Sequence, residues 1–262
     1  MKQGSNAEHA KYFSPSSAKA WKQCPAFAII KAHGKVIKVK PHVNTSMGTM
    51  THGAAEAMLR GEIENCREWL GKKLEDAVFG EINAREGNGY VAYVHGILQD
   101  YPDAILFIEK RLWFSRVLGV DLGSAFGSGD ALIYIPSLRK LMVIDLKTGA
   151  IEVEVEQNDQ LMIYGYAAYS YFKMIGPIDV VEMVVYQRKP FTWAASPTVL
   201  KAYITSLREP AQRILAGAAF FLKNGYLHDK YFRPSPAACQ WCPVVECPHH
   251  TKTLFKNKVP RQ

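Results

Sequence analysis

The sequence predicts an α/β fold in which helices flank a central β-sheet. Three observations carry that expectation. Two apolar runs, 131–135 and 141–146, flank a turn at Pro136-Ser137-Leu138-Arg139, the pattern of a β-hairpin. A segment with helical spacing, 156–174, comes next, and a strand-like run at 178–187 follows it. Alternation over 105–117 adds a strand ahead of the hairpin, so the centre reads strand, strand, strand, helix, strand.

Ahead of that core the chain reads as helical. Residues 12–32 fit a helix with Ser14 as N-cap and Pro15 in the first turn. Trp21, Phe27 and Ile30 give it a side to bury, and Cys24-Pro25 predicts a break. Lys31, Lys35, Lys38 and Lys40 then form a basic loop or ragged strand. It either touches nucleic-acid phosphates or is a solvated connection. The next helix is expected over 46–60, with Met47, Met50, Ala54 and Met58 as its apolar stripe. His52 and Glu56, four apart, share another face, and Gly48 and Gly53 permit close backbone approach.

Residues 62–84 are expected to be helical, with Trp69, Leu70, Leu74 and Val78 inward and Cys66 a buried or idle thiol. A further helix is expected over 90–101, capped near Asn88-Gly89. Gly119, Gly123, Gly127 and Gly129 lack the context and the Lys-Ser/Thr ending of a phosphate-binding loop, and are read as turn-formers leading into the hairpin. Leu161, Tyr164, Ala168 and Phe172 form the packed side of the 156–174 helix. Tyr166, Tyr169 and Tyr171 on it either stack on bases or serve as rim packing. Ser196-Pro197 opens a last long helix running to residue 224.

Composition sets the bounds. A chain of 262 residues with 48% hydrophobic content suits one embellished domain with a sizeable core. Three regions are drawn along it: a helical part over 1–104, a core over 105–225 and a cysteine-rich tail over 226–262, acting as one cooperative unit. No run approaches a membrane span and the N-terminus lacks a signal-peptide apolar region, so a cytoplasmic location without membrane contact is expected. The net charge of +8 favours a polyanionic partner, though solubility alone would also account for it. Five cysteines, an odd number with three near the C-terminus, do not form a secreted disulfide framework.

The chemistry sits on the hairpin. Asp130 begins its first strand, and Asp145 and Lys147 end its second. Residues two apart on a strand point to one face. Carboxylates and an ammonium on an otherwise apolar hairpin are costly unless neutralised, and a divalent cation would do so. Hard oxygen ligands suit Mg²⁺ or Mn²⁺. Lys147 can then hold or deprotonate a water and stabilise developing charge. Gln160 and Tyr164 lie one turn apart on the following helix.

This ordered set, Asp130, Asp145-Leu146-Lys147, Gln160 and Tyr164, resembles the PD-(D/E)XK nuclease superfamily, and its last pair resembles the RecB-type exonuclease branch. Gly129 stands where the motif name has proline, a variable position. The Gly48-Thr49-Met50-Thr51-His52 helix resembles the one that brings a histidine to the metal in RecB-type nucleases. The resemblance implies a restriction-endonuclease-like core with a mixed sheet. It also implies Mg²⁺ or Mn²⁺ held by His52, Asp130, Asp145 and the Leu146 carbonyl. Glu109 is either a further metal-holding acid or an exposed strand glutamate paired with Lys110 or Arg111.

The tail has Cys239, Cys242 and Cys247 at C-x2-C-x4-C spacing, and Cys24-Pro25 offers a fourth thiol. Such a density of thiolates argues for a soft metal. The set resembles the iron–sulfur nucleases of the same superfamily, the AddB-type helicase-nuclease subunit and the CRISPR-adaptation nucleases. There one cysteine before the core and three after it hold a 4Fe–4S cluster. Zn²⁺, with Cys24, His249 or His250 as fourth ligand, is the competing reading. The basic residues 251–262 are expected to fray and to touch DNA.

The combined expectation is a metal-dependent DNA exonuclease on linear or single-stranded DNA. The resemblance places it in phage or mobile-element recombination or replication, in the host cytoplasm, with a recombination-protein partner or as a homo-oligomer. The alternatives are an endonuclease of the same superfamily and a non-catalytic DNA-end-binding module.

Overall fold

The computed structural model describes residues 10–33 and 43–239, together with Cys242, Val244, Cys247 and His249. Lys35, Lys38 and Lys40, His250 and the 251–262 stretch lie outside the described residues. In chain order the helices are α1 (Ala18–Trp21), α2 (Pro25–His33), α3 (Val43–Leu59), α4 (Glu81–Asp100), α5 (Ser115–Leu118), α6 (Asp159–Phe172), α7 (Pro197–Ser206), α8 (Arg208–Asn224) and α9 (Pro236–Cys239). The strands are β1 (Lys73–Leu74), β2 (Ala77–Val78), β3 (Ile105–Trp113), β4 (Phe126–Ile135), β5 (Lys140–Leu146), β6 (Val180–Gln187) and β7 (Lys189–Ala195).

Two compact units emerge, each discontinuous in sequence, whereas the regions drawn from the sequence are consecutive. One unit comprises 40–112 and 128–201 and is built on a five-stranded sheet ordered β3-β4-β5-β6-β7. The sheet is mixed: β4 and β6 flank β5 antiparallel and parallel respectively, and β7 returns antiparallel on β6. The expected α/β architecture, a mixed sheet with helices against it, is therefore present. Parallel pairing of β5 with β6 needs a crossover, and α6 supplies it, packing on both strands.

Strand alternation divides the core. Ala131, Ile133 and Ile135 of β4 join Met142, Ile144 and Leu146 of β5 under Tyr90, Val91, Val94 and Ile97 of α4. On the opposite face α6 comes close because Gly165 has no side chain. A Cβ there would lie 3.2 Å from Leu200 and 3.4 Å from Met183. No described helix is long and apolar enough to cross a membrane.

The described residues of the other unit, which is drawn from 1–39, 113–127 and 202–262, are mainly helical. Pro25 opens α2, so the break expected at Cys24-Pro25 is where the first helical segment ends. Trp21 is fully buried, with its indole donating to the Ser14 carbonyl at 3.0 Å and its ring edge-on to Phe13. α2 packs on α8 at Gly217, where a Cβ would lie 2.5 Å from Ile29 and 2.9 Å from Tyr231. Gly217→Ala is expected to cost about 1–3 kcal/mol by overpacking, read as a lower urea midpoint at unchanged slope. An unchanged midpoint would show that this packing yields freely.

Three sequence expectations need correction. Residues 62–84 are not one helix: a 3-10 turn at Cys66–Trp69 and a β1–β2 hairpin precede α4. Gly61 and Gly71 sit at φ 71° and 80°, and Asn65 builds a capping box with Glu68, so local turn chemistry overrides the apolar spacing. Leu70, Leu74 and Val78 are exposed, not inward. Second, α4 is capped at Gly80, not near Asn88-Gly89. Asn88 is inside the helix, and its side chain accepts from the Cys66 N–H at 2.9 Å. Third, the long last helix is two. Pro210 would meet the Ser206 carbonyl of a continuous helix, so α7 ends at Ser206 and Pro210 falls in the first turn of α8.

The sequence reading also missed β7. Arg188, at φ 63°, makes the tight reversal that pairs Gln187 with Lys189. Pro190 is tolerated because β7 is an edge strand.

Candidate functional site

The β4–β5 register pairs Ala131 with Ile144, so one step further Asp130 stands opposite Asp145 at the same sheet end. The Asp130 carboxylate accepts the Leu146 N–H at 2.7 Å and lies 3.3 Å from His52 Nδ1. A strand residue's N–H and C=O point the same way, so the Leu146 carbonyl opens on the Asp130 side. Asp145, only 4% exposed, pairs through Oδ2 with the Lys147 ammonium at 2.7 Å. Its Oδ1 accepts from the Gln160 amide at 3.1 Å, and the Gln160 oxygen is 3.4 Å from Lys147 Nζ. Gln160 therefore orients both members of the pair.

Each side chain is placed for a local reason. Gly48 lets α3 come beside the strand end, since a Cβ would lie 3.1 Å from the Thr148 hydroxyl, and His52 follows one turn later. The buried Thr51 accepts from Asn83 at 3.0 Å, which fixes α3 on α4. Asn158 caps α6 by accepting from the Gln160 and Leu161 N–H groups, setting where Gln160 begins its turn. Tyr164 is buried on α6, one turn after Gln160.

Glu109 interrupts β3 at φ 49°, a left-handed conformation that costs of order 1–3 kcal/mol for a non-glycine residue. Its carboxylate, His52 and Asp130 place ligand atoms all within 4.8 Å of one another. Tyr90, Glu56 and Leu146 line the same small cavity. Lys110, offered as an ion-pair partner for Glu109, instead lies over the Tyr171 ring.

The charged groups of the site act on one another: Asp130, Asp145 and Glu109 face His52 and Lys147. Burial, then Asp130 and Glu56, push the Glu109 carboxyl up to about 8. Burial also raises Asp145, with Lys147 opposing it. Asp130 is lowered: burial acts against this, but His52 and Lys147 outweigh it. Burial would lower His52, yet Asp130 and Asp145 lift it to about 9. Lys147 likewise stays charged, its desolvation outweighed by Asp145 and Asp130.

A histidine raised from 6.5 to about 9 contributes stability that is complete below pH 6.5 and lost as pH rises through 9. Glu109, raised from 4.5 to about 8, adds loss in the same direction up to pH 8. Metal-free protein is thus expected to melt lower at pH 9 than at pH 6.5, while affinity for Mn²⁺ rises over that interval as protons leave. Melting curves and Mn²⁺ titration at the two pH values check this; a rise in metal-free stability toward pH 9 would contradict it.

The donor set fits a hard divalent ion. Carboxylate oxygens with one imidazole suit Mn²⁺ or Mg²⁺, and the buried Tyr90 hydroxyl has no hydrogen-bond partner among the described residues.

Two residues of the site carry no signal in the sequence. Tyr90 reads there as the start of a helix. Buried Gln187 ties down the loop after Lys147, donating to the Gly149 and Ile151 carbonyls and accepting the Val153 N–H at 3.1 Å. No spacing marks either residue, because their roles depend on α4 crossing the sheet end and on β6 ending beside the loop.

In the helical unit Cys24, Cys239, Cys242 and Cys247 line one pocket with Phe27, Ile30, Val244 and His249. None is in a disulfide. Burial raises the Cys242 thiol, and the other three sulfurs raise it further. His249 is 3.4 Å from Asp229. Cys66, in the other unit, is fully buried, and burial pushes its thiol up to about 11.

The family described as "Protein of unknown function (DUF2800)" matches residues 9–256. The chain belongs to the DUF2800 family. This DUF2800 chain is also similar to a crystal structure from Eubacterium rectale described as "Putative exonuclease", at 12% identity and a TM-score of 0.46, covering 99% of this chain and 96% of that one. A crystal structure of SSO0001 matches at 13% identity and a TM-score of 0.31, over 82% and 90% of the two chains. Likenesses this distant carry no chemistry from those proteins to the DUF2800 chain.

Proposed function

We propose that this chain is a divalent-metal-dependent deoxyribonuclease of the PD-(D/E)XK type, an exonuclease that hydrolyses phosphodiesters from DNA ends. The observation that carries this reading is the meeting of Asp130, Asp145 and Lys147 at one sheet end, beside His52 and Glu109. His52, Glu109 and Asp130 would hold Mg²⁺ or Mn²⁺ with the Leu146 carbonyl, and Asp145 stands next to them with lone pairs to spare. The ion would supply Lewis acidity to a phosphodiester oxygen and a more acidic water.

The chain's own groups do the rest. Lys147 is a half-buried cation, so it would position the attacking water by donating to it and stabilise negative charge developing on the phosphate; its raised pKa argues against a role as base. Gln160 fixes Lys147 and Asp145, and Tyr164 would help orient the site from one turn further along α6. The product would be a 5′-phosphate end. The net charge of +8 favours the polyanionic substrate. Gln160 and Tyr164 one turn apart, the RecB-type feature, support the exonuclease form over an endonuclease.

In the helical unit, convergence of Cys24 with Cys239, Cys242 and Cys247 in one apolar pocket supports a 4Fe–4S cluster as a structural clamp, with Zn²⁺ as the alternative. End-labelled linear, nicked and covalently closed DNA, each with Mn²⁺ or EDTA, tests the enzymatic reading. Metal-dependent loss of linear DNA with closed circles intact supports it, and cutting of closed circles would replace it with an endonuclease.

A further inference from the structure

Tyr90 carries a cost that the fold alone does not explain. Its ring is 1% exposed and packs edge-on to Tyr186, 5.8 Å between centroids, inside the α4-to-sheet core. Phenylalanine would fill that place. The hydroxyl adds nothing to the packing and has no hydrogen-bond partner among the described residues. Leaving such a group unsatisfied costs about 1–3 kcal/mol. The side chain borders the cavity formed by His52, Glu109, Asp130 and Leu146. Burial, and then Asp130, Asp145 and Glu109, hold the phenol protonated, so it can only be a donor or a neutral acceptor there.

The other polar side chains lining this cavity are His52, Glu56, Glu109 and Asp130; His52 meets Asp130 and Glu56 meets Arg60. None of them accepts from the Tyr90 O–H, which is left able to donate to an oxygen that enters with the ion. We propose that Tyr90 is a positioning residue whose O–H donates to the oxygen ligand, water or phosphate, that occupies the cavity between His52, Glu109 and Asp130. The proposal rests on the metal-site reading above and extends it to a residue outside the acidic set.

Tyr90→Phe in the full chain tests it, with readouts other than turnover. Without metal the variant is expected to melt at or above the wild-type temperature, because an unsatisfied hydroxyl has gone. Its affinity for Mn²⁺ by calorimetry, or for a 5′-phosphorylated oligonucleotide in non-cleaving Ca²⁺, is expected to fall about tenfold. A fall with Mn²⁺ alone identifies water as the partner. A fall only with the oligonucleotide identifies phosphate. Either outcome, with metal-free stability kept, supports the assignment.

Equal affinities in both arms overturn it and leave the metal site standing. A metal-free variant that melts clearly lower overturns it as well, since the hydroxyl would then have a structural partner. A wild-type chain that takes up no Mn²⁺ removes the metal-site reading and this inference together.

Discussion

Asp145→Asn is expected to abolish DNA cutting, by on the order of a thousandfold or more, while leaving a folded protein that still binds DNA. The amide keeps the volume of the carboxylate and can still bond Gln160, so the strand end holds its shape. What disappears is the charge that holds Lys147 at 2.7 Å and adds to the field at the His52, Glu109 and Asp130 group. Lys147→Ala should lose as much activity for a different reason and with a different signature. It leaves the charge of the buried Asp145 carboxylate without its partner, whereas Asp145→Asn leaves the unpaired charge on Lys147, whose side chain is 28% exposed. The two variants therefore agree in digestion assays and part in melting curves, the alanine variant melting lower. Undiminished digestion by either would remove the site assignment. Inactivity with equal melting would mean that the Asp145–Lys147 pair contributes no stability.

The second large effect concerns the cysteines. A structural metal's binding free energy is folding free energy, about 10–16 kcal/mol for Zn²⁺ in zinc-finger peptides. Even ~3 kcal/mol of it would lower the melting temperature by about 10 °C in a chain of this size. Cys242→Ser is expected to cause at least such a drop, together with loss of bound metal. Cys66→Ser serves as the control, since that thiol lies in the other unit. Anaerobically purified wild-type protein is expected to be brown, with stoichiometric iron and sulfide. A colourless preparation with one zinc per chain would replace the cluster by zinc. Absence of either metal, with Cys242→Ser as stable as wild type, would remove the clamp.

The sequence is most legible where an apolar run is bounded by a clear turn. The hairpin of β4 and β5 is read within a few residues, because the two short apolar runs on either side of the Pro136 turn have no competing signal. The ordered polar residues on that hairpin and on α6 could be picked out because each interrupts an apolar pattern. Glu109 was harder: nothing in the alternation of β3 announces the left-handed backbone that places it beside His52 and Asp130. Over residues 62–84 the apolar spacing points to a helix, but Gly61, Gly71 and Asn65 decide the chain path through their turn chemistry. β7 failed because Arg188 takes a conformation that its type rarely announces. Tyr90 was invisible for another reason. A tyrosine on an apolar helix face reads as packing until the end of its side chain is seen to have no partner.

The most direct test of the central claim is the anomalous difference density of Mn²⁺ in crystals of the chain grown with that ion. The account predicts a peak within bonding distance, about 2.0–2.3 Å, of His52, Glu109 and Asp130. A fully occupied Mn²⁺ elsewhere, with these three side chains bonded only to one another, would contradict it.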